Sequence, residues 1–250
     1  MINSILFGNG YWANIVKEKI IKLTNLMMVV DSKTDTTHIR WCCANIVFVC
    51  SSTSSHYEIV KMCLNNNIKY IFCTKPFTGD YKKAKELYSL AKKKDANIFV
   101  DNLFLFRNEI LDIPVKDMKY ARFIWRKLEG NPKESLWDSY LYHDLYLLEQ
   151  WSRSNKWKVK SAHVTDNFLW MTIGNGRQRC SFRYKRNSFT EGKWVFLDDL
   201  TINLSSPAND PLKECIVNML QDNIDFDLSK KVTLNTLKTM GRIKKQLRWR

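Results

Sequence analysis

The chain has 250 residues, 45 % hydrophobic and 13 % aromatic, enough apolar surface for one or two folded domains and too much for a disordered chain. A formal charge of +15 and a pI near 9.5 attract polyanions: nucleic acid, anionic membrane or phosphorylated small molecules. No apolar run approaches the roughly 20 residues of a membrane span, and MINSILFGNG has no basic n-region ahead of a long apolar stretch, so a cytoplasmic address without a membrane span is expected.

In chain order, INSILFG (2–8) reads as a short buried strand ending in glycine, and YWANIVKEKIIKLTN as an amphipathic helix. LMMVVD (26–31) and ANIVFVCS (44–51) are two more buried strands. SHYEIVKMCLNNN (55–67) reads as a helix capped by Ser54 or Ser55, and KYIFC (69–73) as a fourth strand. DYKKAKELYSLAKKKD (80–95) is a helix capped by Asp80, followed by a strand in NIFVDNLF (97–104). Uniformly apolar strands alternating with amphipathic helices predict a Rossmann-type, doubly wound parallel sheet over 1–115. Beyond it, KYARFIWRKL (119–128) alternates like a half-exposed strand, and SLWDSYLYHDLYLLEQW (135–151) is a long aromatic helix. WKVKSAHV, NFLWMTIG, QRCSFRYKR and KWVFLDDLTINL then alternate with period two, split by GNG (174–176) and EGK (191–193). Helices over 211–224 and 230–247 close the chain. The expectation is an α/β protein whose second domain, 116–250, is α+β with a mostly antiparallel open sheet, its C-terminal helix free to pack back on the first domain. The alternating Phe, Trp and Tyr of that open face suggest an oligomer surface.

The first strand runs into Gly8-Asn9-Gly10-Tyr11-Trp12-Ala13, which fits G-x-G-x-x-[G/A]. Glycine lets the backbone approach a pyrophosphate, and the helix that follows offers unpaired N–H groups and a positive dipole end. Asp31 ends the second strand about twenty residues on, where an acid accepts the ribose hydroxyls. A carboxylate there repels a 2′-phosphate and so favours NAD, a preference that Lys33 weakens without excluding NADP. Lys75-Pro76 is a third marker: an apolar strand ends on an ammonium at the carboxyl edge, where parallel sheets bind ligands. Partial desolvation there lowers an amine's pKa towards acid/base range. The seven cysteines form no CxxC pair and the four histidines no ligand spacing, so buried thiols in a reducing compartment and no metal are expected. The densest basic stretches, 82–94 and 242–250, have the helical spacing of a solvated face.

Taken in this order, the stretches resemble the Gfo/Idh/MocA oxidoreductases over nearly the whole chain. FGNGYWANIVKE is similar to the GxGYWGxN opening of the branch acting in polysaccharide biosynthesis, TKPF to the family's Glu-Lys-Pro signature, and LWDSYLYHDLYLLEQW to its later Asp…His motif. DPLKECIVNMLQDNI resembles the family's C-terminal helix. The resemblance implies that Lys75 sits beside the nicotinamide and bonds the reacting hydroxyl, and that His143, with an ordinary pKa near 6.5, takes up its proton. It also sets Ser51 and His56 beside the cofactor with the glycine loop. Three departures stand out: Thr74 replaces the glutamate, Asp138 and His143 are five apart instead of four, and bulky Tyr140 and Leu141 fill the gap.

The expected activity is therefore an NAD(P)-dependent dehydrogenase or reductase acting on a sugar. Its substrate would be an anionic nucleotide sugar oxidised at C3, such as a UDP-N-acetylhexosamine or its uronic acid, with the enzyme a homodimer or homotetramer. Two alternatives are a non-catalytic sensor or scaffold that kept the dinucleotide fold, and a basic nucleic-acid-binding protein. No helix-turn-helix, RNP, KH or zinc signature marks the chain as a specific nucleic-acid binder.

Overall fold

The structure is a computed structural model and describes residues 1–111, 113, 118–129, 135–152 and 156–247. The chain forms two compact units, Met1–Leu103 with Leu212–Leu234, and Phe104–Pro211 with the stretch from Asn235 onward. The 115/116 boundary expected from the sequence falls on residues outside those described, as do the last three residues of the basic tail.

The first unit is built on five parallel strands: β1 (Asn3–Phe7), β2 (Asn25–Val30), β3 (Ile46–Val49), β4 (Tyr70–Cys73) and β5 (Asn97–Val100), in the order β2-β1-β3-β4-β5. Strands β1, β3, β4 and β5 are buried from at latest their second residue, as a sheet covered on both faces requires, while edge strand β2 is buried only at Val30. Helices α1 (Tyr11–Leu23), α2 (Thr53–Asn65) and α3 (Tyr81–Lys93) each bury one stripe, for example Ala13, Val16 and Ile20 on α1. The Asp80 carboxylate caps α3 by accepting from the Lys82 and Lys83 amides. By contrast α2 starts earlier than its serines suggest, with Ser52 at the cap, and the fifth strand stops at Val100, giving way to a 3₁₀ turn over Leu103–Phe106.

In the second unit, a short helix α4 (Asn108–Leu111) precedes six strands: β6 (Tyr120–Arg126), β7 (Lys158–Val164), β8 (Phe168–Gly174), β9 (Arg179–Lys185), β10 (Gly192–Leu197) and β11 (Leu200–Asn203). Their order is β11-β10-β6-β9-β8-β7, antiparallel except for the parallel pair β6–β9. The stretch KWVFLDDLTINL is a hairpin rather than one strand, because Asp198 takes a left-handed turn (φ 44°). Helix α5 (Tyr142–Trp151) lies on the inner face, where Trp151, Phe123 and Phe182 stack. Helices α6 (Pro211–Leu220) and α7 (Phe226–Leu247) follow, the latter starting four residues before the expected 230. Five cysteines are buried, and burial pushes their thiol pKa up; Cys42 and Cys43 are exposed and depart from the expectation of buried thiols. No described helix is long and apolar enough to cross a membrane.

Candidate functional site

The parallel ladder of the first unit runs one residue past each strand at its carboxyl edge: Gly8 N–H donates to Val30 O, Cys50 N–H to Phe7 O, Thr74 N–H to Val49 O and Asp101 N–H to Cys73 O. The glycine turn, the Ser51 loop, Lys75 and Asp101 therefore leave the sheet at one level. The winding direction reverses between β1 and β3, and that switch point is where such sheets hold ligands.

Gly8 has to be glycine. Its φ is +118°, and a Cβ there would lie 2.6 Å from the Cys50 carbonyl oxygen. Gly10 is the N-cap of α1, makes no side-chain cap bond, and has open space where a Cβ would project. Asn9 and Tyr11 are exposed, whereas Ala13 is packed under the helix. The Asp31 Oδ1 accepts from the Lys33 amide and the Thr34 hydroxyl, both at 2.9 Å, and these bonds lower its pKa. A glycine cradle, an uncapped helix N-terminus and an ionised acid on the adjoining strand are the donor and acceptor set that a dinucleotide needs.

His56 lies buried at the second turn-point. Nε2 is 2.9 Å from the Ser51 carbonyl and Nδ1 is 3.0 Å from that of Pro76, so the ring ties the β3 loop to the backbone just after Lys75. Burial lowers its pKa. Thr74 fills the glutamate's position by turning its hydroxyl onto the Val49 carbonyl at 3.2 Å. Lys75 is half-buried.

Beside it stands a residue that the sequence did not single out. Asp101 is buried; its carboxyl accepts from the Trp12 side chain and the Leu103 amide and feels the Lys75 charge, while Oδ1 has no partner among the described residues. Burial pushes its pKa up to about 7. Glu149 in the second unit, bonded by the Thr239 hydroxyl at 2.6 Å, is likewise raised by burial to about 7. Each carboxyl holds its proton more tightly folded than unfolded. Their contribution is therefore full below about pH 4 and lost as pH rises to about 7. The melting temperature is expected to fall between about pH 5 and pH 8, and Asp101→Asn and Glu149→Gln should each flatten that slope. Wild-type and variant curves of equal slope would contradict the assignment.

His143 belongs to the second unit. Just before it, Trp137–Leu141 forms a π-helical turn in which the Tyr142 amide donates to Trp137 O, five residues back. That turn absorbs the extra residue between Asp138 and His143, since i→i+5 bonding sets residues five apart one above the other. The Asp138 carboxylate is 3.3 Å from Lys244 Nζ. The His143 ring meets Phe104 edge-on at 5.0 Å and stacks on Trp125 at 6.2 Å. Under these rings lies a buried ion pair that the sequence also hid: Lys193 Nζ donates to Asp144 Oδ1 at 2.8 Å.

Comparison with known proteins agrees with this geometry. Residues 29–102 match the Gfo/Idh/MocA family, described as an oxidoreductase family with an NAD-binding Rossmann fold. An uncharacterized oxidoreductase of Schizosaccharomyces pombe is 42 % identical over 55 residues, and a second is 49 % identical over 49. Those matches span 22 % and 20 % of this chain but only 15 % and 13 % of the yeast proteins. Among solved structures, UDP-N-acetylglucosamine 3-dehydrogenase from Acidithiobacillus ferrooxidans superposes with a TM-score of 0.79 at 13 % identity, covering 98 % of this chain and 99 % of that one. The WlbA dehydrogenase from Thermus thermophilus, crystallised with NAD and UDP-GlcNAcA, gives 0.78 at 12 % identity over 97 % and 95 %. GenD2 from gentamicin A biosynthesis, crystallised with NAD, gives 0.78 at 10 % over 98 % and 93 %. Residues 29–102 are thus similar to the NAD-binding Rossmann fold of the Gfo/Idh/MocA oxidoreductase family, and the chain shares its overall fold with these solved structures.

Proposed function

We propose that the protein is an NAD(P)-dependent oxidoreductase acting on a sugar ring hydroxyl, with a nucleotide-linked sugar as substrate and C3 of a UDP-N-acetylhexosamine or its uronic acid as the first choice. The observation that carries this reading is the Gly8–Gly10 turn at the sheet's switch point, opening onto an uncapped helix with Asp31 on the adjoining strand. The two UDP-sugar enzymes among the structural relatives support the substrate class, and the net charge of +15 suits a diphosphate.

NAD, when bound, supplies the hydride acceptor. The chain's own residues would do the rest. Gly10 leaves room for the diphosphate, the α1 amides bond it, and Asp31 takes the ribose hydroxyls and selects against a 2′-phosphate. His56 fixes the loop that presents Lys75; Lys75 holds the substrate hydroxyl and polarises its O–H, and His143 accepts the proton. We further propose a cytoplasmic homodimer or homotetramer. The second reading, a cofactor-binding protein without turnover, draws on the engagement of Asp138 by Lys244 and on Thr74 in place of a carboxylate.

Titration with NADH and NADPH, followed by nicotinamide fluorescence, tests the reading. Wild type should saturate at micromolar NADH and bind NADPH more weakly. Gly10→Trp should keep its melting temperature, because the space is open, yet lose both nucleotides. If neither nucleotide binds the wild type, the oxidoreductase reading and the sensor reading fall together.

A further inference from the structure

His143 is followed directly in α5 by Asp144, a buried acid paired with Lys193 of β10. The Asp144 Oδ1 accepts from Lys193 Nζ at 2.8 Å and from the Trp125 indole at 3.2 Å. Its Oδ2 accepts from the same indole at 3.0 Å and from the Tyr184 hydroxyl at 2.9 Å. An indole N–H shared between both oxygens of one buried carboxylate cannot turn away without breaking both bonds. Ring contacts close the circuit, since Trp125 meets Tyr140 edge-on at 4.9 Å and Tyr140 stacks on Tyr184 at 5.8 Å.

His143 lies against two of the rings held in this way. Its imidazole is tilted 18° from the Trp125 plane at 6.2 Å and stands 86° to Phe104 at 5.0 Å. Lys193 Nζ is 3.4 Å from the Phe104 centroid and 3.8 Å from that of Trp125, so one ammonium engages both rings. The three rings are half-buried, and the ion pair is closed from solvent. All of these side chains belong to the second unit.

Stability is a poor reason for a charge pair at this place. Apolar residues of similar volume usually do as well as a buried ion pair, or better. An apolar pair, however, could neither bond the indole nor engage both ring faces with a cation. The acid that precedes His143, Asp138, is half-exposed and paired with Lys244 at 3.3 Å. The ordered surroundings of the histidine come from the acid that follows it.

We propose that Asp144 and Lys193 are positioning residues for His143, holding its imidazole in one orientation through the Trp125 and Phe104 rings. The inference deepens the proposed function and rests on it for the consequence: a fixed imidazole meets the substrate hydroxyl in line, where a misplacement of about 1 Å costs about 10²-fold. Neither Asp144 nor Lys193 needs to touch the substrate.

Two variants test the hold: the pair Asp144→Asn with Lys193→Met, and Trp125→Phe, which keeps a ring and removes the N–H. Circular dichroism melts check that both are folded. In proton–carbon spectra the His143 Cε1–H signal, identified by its loss in His143→Gln, should stand apart from that of exposed His38, because aromatic rings lie against it. In both variants it should move towards the His38 position. On UDP-N-acetylglucosamine or its uronic acid, kcat should fall about 10- to 100-fold, with KM changed less than about twofold. In a His143→Gln background the pair should cost less than about twofold more, since its effect passes through the imidazole. A folded pair variant that keeps the wild-type His143 signal, or the wild-type kcat, overturns the proposal. So does a kcat loss as large in His143→Gln as in wild type, which would mark a general structural effect. If wild type turns over neither UDP-sugar while the His143 signal moves as expected, the proposed function falls and the hold on His143 stands.

Discussion

Lys193→Ala is expected to destabilise the second unit by about 3–5 kcal/mol, the cost of stranding a buried charge. Lys193 is 5 % exposed and Asp144 fully buried. Their 2.8 Å bond is one part of a cluster in which the Trp125 indole donates to Asp144 at 3.0 Å and the Tyr184 hydroxyl at 2.9 Å. The ammonium also lies over the Phe104 ring at 3.4 Å from its centroid and over that of Trp125 at 3.8 Å. Burial already holds the Asp144 pKa above the usual carboxylate range despite that company. Without the lysine it must rise further, and the sign of the pH effect follows. A carboxyl whose folded pKa exceeds its unfolded pKa is most stabilising below the unfolded value and loses that contribution as pH rises through the folded one. Lys193→Met should therefore melt close to wild type in acid and progressively lower towards neutral pH, while Lys193→Met with Asp144→Asn should recover much of the loss. A Lys193→Met curve parallel to wild type across that range would show that the pair contributes packing alone.

The cluster illustrates why part of this molecule was legible in the sequence and part was not. Gly8, Gly10 and Asp31 are set by local rules, a tight turn, a close backbone approach and a strand end, so the short pattern carries them, and the fold class follows from uniformly apolar strands alternating with amphipathic helices. Lys193 obeys no local rule. It shares a strand face with Val195 and Leu197, but period two tells which residues share a face and never which face is inside. Asp144 and Asp101 are hidden for the same reason, since each becomes meaningful only through a partner far along the chain. The parity of β9 likewise concealed that its arginines gather on one outer surface. The π-helical turn was foreshadowed only by a spacing of five where four was expected. A single added residue has no compositional signature, and the alternative, a rotated helix face, reads identically in the sequence.

Lys75 is where the largest catalytic effect is expected. Under the proposed function, Lys75→Ala should lower kcat on a nucleotide sugar by about 10²–10⁴-fold, the range for a positioned acid/base group, with NADH affinity changed by less than about tenfold. The separation follows from the structure: Lys75 leaves the carboxyl edge of β4, whereas the glycine turn and Asp31 belong to β1 and β2. Lys75→Arg should not rescue, because a planar fork cannot replace a compact ammonium at the same point. His143→Ala should lower kcat less severely and remove the acid limb of the kcat/KM profile, since the proton would then leave through water. Asp101 adds a second signature. It feels the Lys75 charge and is pushed up to about 7, so Asp101→Asn should shift the pH profile without abolishing turnover. These outcomes also separate the two readings of the site. Saturable NADH binding with no turnover on any UDP-sugar, and Lys75→Ala indistinguishable from wild type, would leave a dinucleotide-binding protein in which Lys75 is an ordinary charge at a strand end. A kcat loss confined to Lys75 and His143, with binding intact, would establish the oxidoreductase.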